Sequence, residues 1–291
     1  LRKALGGIVK DEVQLIVEWL AHCMALGFTD FLIYDNESTD GTTDILRALD
    51  GAGEMVHLDW PHAVGQRPQR LAYGHARRHA EVDWLACFDA DAFLNLREDA
   101  SIQAFLARFG PDVSAIAVNW VVFGSAGQAQ FRPVLATERF TDALPGDVFP
   151  SHPVKTIGRR ARLVGTGIHL VNPDGGRYVN PSGQDFRFRR RIAVQSPDTD
   201  VAALHHYVIK SMEEYAEKRA SGDANTQFHD ARREKLDRDF ADFNAGGVVS
   251  TELAVRSGPM RAEALRLRGI LEAAGLTYPV WPFVEARDAA R

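Results

Sequence analysis

Asp89 and Asp91 follow the apolar run 84–88, within the stretch Asp-Trp-Leu-Ala-Cys-Phe-Asp-Ala-Asp-Ala-Phe at residues 83–93. A strand of this composition is buried on both faces, so its end delivers two acids into one small volume. Carboxylates that close repel and raise each other's pKa unless a cation sits between them. The pattern points to an oxygen-ligand site for a hard divalent metal, Mg²⁺ or Mn²⁺. An acidic turn after a core strand is the alternative, and an isolated Asp-x-Asp would favour it. The rest of the chain tips the reading toward an enzyme.

Strand and helix alternate through the first 125 residues. An apolar stretch ends at Ile8-Val9, and apolar residues at helical spacing (Val13, Ile16, Val17, Leu20, Met24) predict a helix from about Asp11 to Leu26. Asp11 is its expected N-cap and Gly27 its stop. Strands are expected at 31–34, 55–58, 84–88 and 115–123, with helices leading to Leu49, over 69–79 and over 102–109. Such alternation gives a mainly parallel sheet covered on both faces, with ligands beyond the carboxyl ends of its strands. Lys10, Glu12, Asp35 and the Asp89/Asp91 pair all fall at strand ends and so converge on one edge. Residues 126–209 are less regular, with short strands expected around 154–157, 163–170 and 186–194. After Lys210 the composition turns helical and charged, with helices expected at 212–221, 226–243 and 260–274.

Composition bounds the function classes. At 291 residues the chain can bury one large core or a core with an appendage. The net charge of −5 offers no global attraction to nucleic acid or anionic membrane. The basic run Phe186–Arg191 reads as a half-exposed strand with arginines outward rather than as a nucleic-acid element. Two cysteines, Cys23 and Cys87, exclude a disulfide framework and suit a reducing compartment. There is no apolar run long enough to span a bilayer and no signal peptide, so the expected location is the cytoplasm, compatible with peripheral association at the inner membrane face. The chain begins at Leu1 without a methionine, and oligomeric state is not legible.

Phe-Leu-Ile-Tyr-Asp-Asn-Glu-Ser-Thr-Asp-Gly-Thr at 31–42 resembles the nucleotide-binding turn of family 2 glycosyltransferases, and Phe-Asp-Ala-Asp at 88–91 resembles their Asp-x-Asp signature. Trp120 with Phe123-Gly124-Ser125, Lys155-Thr156-Ile157, and His205-His206-Tyr207 with Lys210-Ser211 resemble a narrower bacterial branch close to family 92. The similarity spans roughly residues 8–220. It implies an α/β GT-A fold, a Rossmann-like mixed sheet flanked by helices. Residues 1–209 would form the transferase domain (1–125 the nucleotide-sugar half, 126–209 the acceptor half), followed by a helical extension at 210–291. It also implies a nucleotide-diphosphate sugar donor, UDP-linked for preference, a Mn²⁺ or Mg²⁺ cofactor, a glycan or other hydroxyl acceptor, and transfer with inversion.

Under this resemblance Asp35 accepts a base N–H, and Lys10, Glu12 and Gln69 line the nucleotide pocket. Asp89 meets ribose or metal, Asp91 holds the metal, and His206, ahead of His205, completes its shell. Lys155 and Lys210 are candidates for the phosphates, and Trp120 for stacking on an acceptor sugar. Each has a plainer role: Asp35 in an Asx-turn or cap, Glu12 as a first-turn acid, Gln69 and the lysines solvated, Trp120 in the core. The Glu-Asp pair expected of family 2 for the general base is missing. Glu138 is the first candidate, with Asp185 and Asp142 next; Glu138 also suits pairing with an arginine. A haloacid-dehalogenase-type phosphotransferase would place Asp-x-Asp at the start of its domain, not after two strand–helix units. An inactive sugar- or nucleotide-binding module is the remaining alternative.

Overall fold

The computed structural model describes residues 1–276 apart from 64, 147, 187, 191–192, 195–196 and 222–239. The main sheet has nine strands: β1 (Lys3–Val9), β2 (Asp30–Asp35), β3 (Val56–Asp59), β4 (Trp84–Cys87), β5 (Ala92–Leu96), β6 (Val113–Val122), β7 (Val154–Arg159), β8 (Arg177–Val179) and β9 (Ala202–His206). Helices α1 (Ile16–Ala25), α2 (Thr42–Gly51), α3 (Pro68–His79), α4 (Ile102–Ala107), α5 (Ala136–Arg139), α6 (Met212–Ser221), α7 (Glu252–Val255) and α8 (Gly258–Ala273) flank or join them. The strand order is β3-β2-β1-β4-β7-β6-β9-β5, with β8 beside β6. β1 to β4 run parallel, β7 is antiparallel to both its neighbours, and β5 is antiparallel to β9. The order reverses on either side of β1, and ligands of open α/β sheets bind at such a reversal.

The helix expected from Asp11 begins only at Ile16. Asp11 adopts a left-handed backbone (φ 53°), and its Oδ1 accepts the Thr39 N–H at 2.7 Å, so it ties two loops together instead of capping. α1 is buried almost all round. Trp19 packs over Gly7 of β1, where an added Cβ would lie 2.6 Å from the indole. The Trp19 Nε1–H donates to Ala92 O at 3.0 Å, and His22 Nε2 bonds Leu94 O at 2.8 Å, so α1 holds β5 directly. β5 itself was not expected: it starts immediately after Asp91, where the sequence reads as a turn.

The helical segment after residue 209 shares the core of the sheet. Met260, Ala264, Leu267 and Leu271 of α8 pack in the same apolar cluster as Trp19, Leu20 and Leu46. Arg139 and Glu214, both buried, form an ion pair that binds α5 to the start of α6. Most of the helix expected at 226–243, and the side chains of the arginine run from 187 on, lie outside the described residues.

Burial pushes the pKa of His22 down to about 4, His205 down to about 3 and His169 down to about 4. Histidines depressed on folding contribute stability that is complete above the unfolded value of about 6.5 and is lost as pH falls toward the folded values. Unfolding then takes up about three protons at these histidines and releases about one from Glu18, whose buried carboxyl is pushed up to about 7, so stability should drop by on the order of 3 kcal/mol per pH unit across the middle of that window. Urea midpoints followed by circular dichroism from pH 7.5 to 4.5 check this. A flat midpoint would contradict three neutral buried imidazoles.

Candidate active site

β4 lies beside β1 until Phe88, whose N–H still donates to Gly6 O. The Ala92 N–H then donates to Asp89 O at 3.0 Å, closing a turn that reverses the chain into β5. This turn presents both acids. β9 runs alongside, with His206 in register with Ala92 of β5 and Val122 of β6. One donor atom each from Asp89, Asp91 and His206 lie within 4.8 Å of one another. Two carboxylates and an imidazole fit a divalent cation, and the nitrogen ligand favours Mn²⁺ over Mg²⁺.

The two acids do not stand as an unrelieved pair. Asp89 Oδ1 accepts from Gln69 Nε2 at 2.7 Å and from the fully buried Lys155 Nζ at 2.8 Å. Asp91 Oδ1 lies 3.0 Å from His206 Nε2, and its Oδ2 accepts from Lys218 Nζ at 2.9 Å. Burial acts to raise both carboxyl pKa values. Lys155 beside Asp89, and Lys218 with His206 beside Asp91, outweigh it and hold both below the ordinary range, Asp91 far below. The repulsion argument from sequence thus gives way to compensation by two ammonium groups. Lys218, on α6 and 127 residues from Asp91 in sequence, carried no signal that separates it from a solvated helix lysine.

Gln69 is bonded to Asp89 and to the Tyr73 hydroxyl, not solvated. Lys10 is half-buried at the end of β1. Glu12 faces Lys210, with Oε2 and Nζ 3.4 Å apart. His205 points into the core, its Nε2 3.1 Å from Asn95 Nδ2 and its ring against Phe123. Trp120 sits between His206 (ring centroids 4.2 Å apart) and His169 (5.4 Å), so its first role is to brace the candidate ligand histidine.

Two of the candidates already have partners within the chain. Asp35, expected to receive a base, accepts the Ser38 N–H at Oδ1 and the Thr43 hydroxyl at Oδ2, the Asx-turn arrangement. The acceptor left without a donor at this strand end is Asn36 Oδ1, which is buried, while Asn36 Nδ2 is fixed on Trp60 O at 2.8 Å. Glu138 was expected to serve as base, but Arg261 and Ser257 of the C-terminal segment hold its carboxylate. Asp185 is exposed and paired with Arg177. Glu138→Gln should therefore leave any turnover within a few-fold and lower stability by about 1–2 kcal/mol. Parallel turnover and urea measurements decide, and a hundredfold loss of turnover with unchanged stability would restore Glu138 as base.

The model of glycosyltransferase family 92 matches residues 7–242. The chain belongs to glycosyltransferase family 92. Its mixed sheet between helices is the GT-A fold expected of that assignment. A family 92 protein of Oryza sativa subsp. japonica is 21% identical over 178 residues, covering 60% of this chain and 30% of the relative. One of Ricinus communis is 21% identical over 217 residues, covering 72% of this chain and 36% of the relative. The family 92 chain thus spans about a third of the length of these curated relatives. It is also similar to two solved structures. One is the mannosyltransferase PcManGT from Pyrobaculum calidifontis in complex with GDP-Man and Mn²⁺ (17% identity, TM-score 0.40, 99% of this chain and 80% of that chain). The other is S. aureus TarS 1–349 (13% identity, TM-score 0.43, 93% and 83%). Among the described residues no helix is long and apolar enough to cross a membrane.

Proposed function

We propose that this family 92 chain transfers a sugar from a nucleotide-diphosphate donor, UDP-linked, to a hydroxyl acceptor, with inversion and with a divalent cation at Asp89, Asp91 and His206. The observation that carries this reading is the meeting of those three side chains at the carboxyl end of β4, beside the reversal in strand order. A cation held there neutralises charge developing on the departing nucleoside diphosphate. Lys155, Lys210 and Lys218 supply further positive charge around the same carboxylates, which suits a diphosphate. Gln69 and Lys155 fix the Asp89 carboxylate, and Trp120 holds the ring of His206.

The uridine assignment rests on the resemblance of residues 31–42 to a nucleotide-binding turn. Uracil offers an N3–H donor to an acceptor at such a strand end, whereas N3 of cytosine carries no hydrogen. In a thermal-shift panel with Mn²⁺, UDP should stabilise the chain more than CDP, GDP or ADP, since binding to the folded state raises apparent stability by mass action. UDP should bind at least tenfold more tightly than CDP. A preference for GDP would replace the uridine assignment and leave the transferase reading standing. Stabilisation by UDP that is unchanged in EDTA would favour a second reading, in which the lysines alone offset the diphosphate charge.

A further inference from the structure

A second group of metal-ligating residues lies across β2 and β3. In the register of these parallel strands Ile33 faces His57 and Asp35 faces Asp59. His57 and Asp59, two residues apart, lie on one face of β3, and Asp35 on the same face of β2. His57 Nε2 is 3.7 Å from Asp35 Oδ2 and 3.7 Å from Asp59 Oδ1. The His57 side chain is only 6% exposed, yet this nitrogen is buried without a hydrogen-bond partner. One donor atom from each of the three residues falls within 4.8 Å of the others. A cavity of about 490 Å³ opens on the group, lined by Asp35, Thr43, Asp59 and Trp60 among others.

We propose that Asp35, His57 and Asp59 form a second cation site, for a borderline divalent metal of the Zn²⁺ or Co²⁺ type, distinct from the group at Asp89. A separation of 3.7 Å is too long for a hydrogen bond. Ligand atoms at ~2.0–2.1 Å around a tetrahedral ion lie about 3.3–3.4 Å apart, so each His57–Asp separation needs to shorten by only a few tenths of an ångström, with the two carboxylates drawing together from within 4.8 Å. The imidazole selects against Mg²⁺ and Ca²⁺. Ser38 and Thr43 fix the Asp35 carboxylate through Oδ1 and Oδ2, as outer partners of a metal ligand do, and each oxygen keeps a further lone pair. Three protein ligands leave a fourth position, on the cavity side. Arg47, 3.4 Å from Asp59 Oδ1, is the competing cation, and both side chains of that pair are largely exposed, so the contact yields readily.

The experiment isolates this site by removing the other. Asp91→Asn protein, stripped with chelator, is titrated with Zn²⁺ by calorimetry and with Co²⁺ by visible absorption. One equivalent should bind, with d–d bands from a nitrogen-containing site. Adding His57→Ala should abolish that equivalent, and adding Asp59→Asn, a substitution at an exposed side chain that leaves packing intact, should weaken it at least tenfold. No saturable binding to Asp91→Asn protein, or binding unchanged by both further substitutions, would overturn the proposal. UDP binding to wild-type protein is read separately, so failure of the transferase reading leaves this outcome unaffected.

Discussion

Asp91→Asn should abolish Mn²⁺-linked binding of a nucleoside diphosphate while leaving the fold intact. The substitution keeps the shape of the side chain and removes the charge that a dication needs, so affinity should fall at least a hundredfold. Asp91 in the fold is compensated by Lys218 and His206, and the loss of those partners costs about 1–2 kcal/mol of stability. His206→Ala should act in the same direction. His205→Ala should not touch metal-linked binding, because that ring is buried against Phe123 and Asn95. Calorimetric titration of UDP with and without Mn²⁺ reads all three. Wild-type metal-linked affinity in Asp91→Asn would reduce the end of β4 to an acidic turn.

The largest loss of stability is expected from Arg139→Met. Both members of the Arg139–Glu214 pair are only 3% exposed, and Glu214 also accepts from the backbone and hydroxyl of Ser211 at the entry to α6. Removing the arginine leaves a buried, uncompensated carboxylate, which costs about 3–5 kcal/mol. The double variant Arg139→Met/Glu214→Met should recover much of this, since replacing a whole buried pair with apolar groups is often near neutral. Urea unfolding of the two variants checks the pair. Equal losses in both would mean that the arginine acts through its contacts with Phe131 and Phe140 rather than through charge.

What sequence made legible was set by period and by local chemistry. The apolar strands ending at Val9, Asp35 and Cys87, and the arrival of their acids at one edge, follow from patterning alone. β5 was hidden because a single turn separates it from β4, so the two strands read as one apolar run broken by acids. Asp11 looked like a cap because its type suits one, yet the Thr39 N–H across the loop claimed its carboxylate. Glu138 was singled out and Lys218 passed over for one reason. Each is a charged residue on a helix, and only tertiary packing decides that one meets Arg261 and the other meets Asp91.

Gly7 reaches further than its place in β1 suggests. Any heavier side chain there must evict the Trp19 indole, and with it the N–H bonded to Ala92, the residue that follows Asp91. The turn between β4 and β5 would then lose its brace from α1. A missing methyl group in one strand thus serves as the alignment tolerance for a carboxylate carried on another.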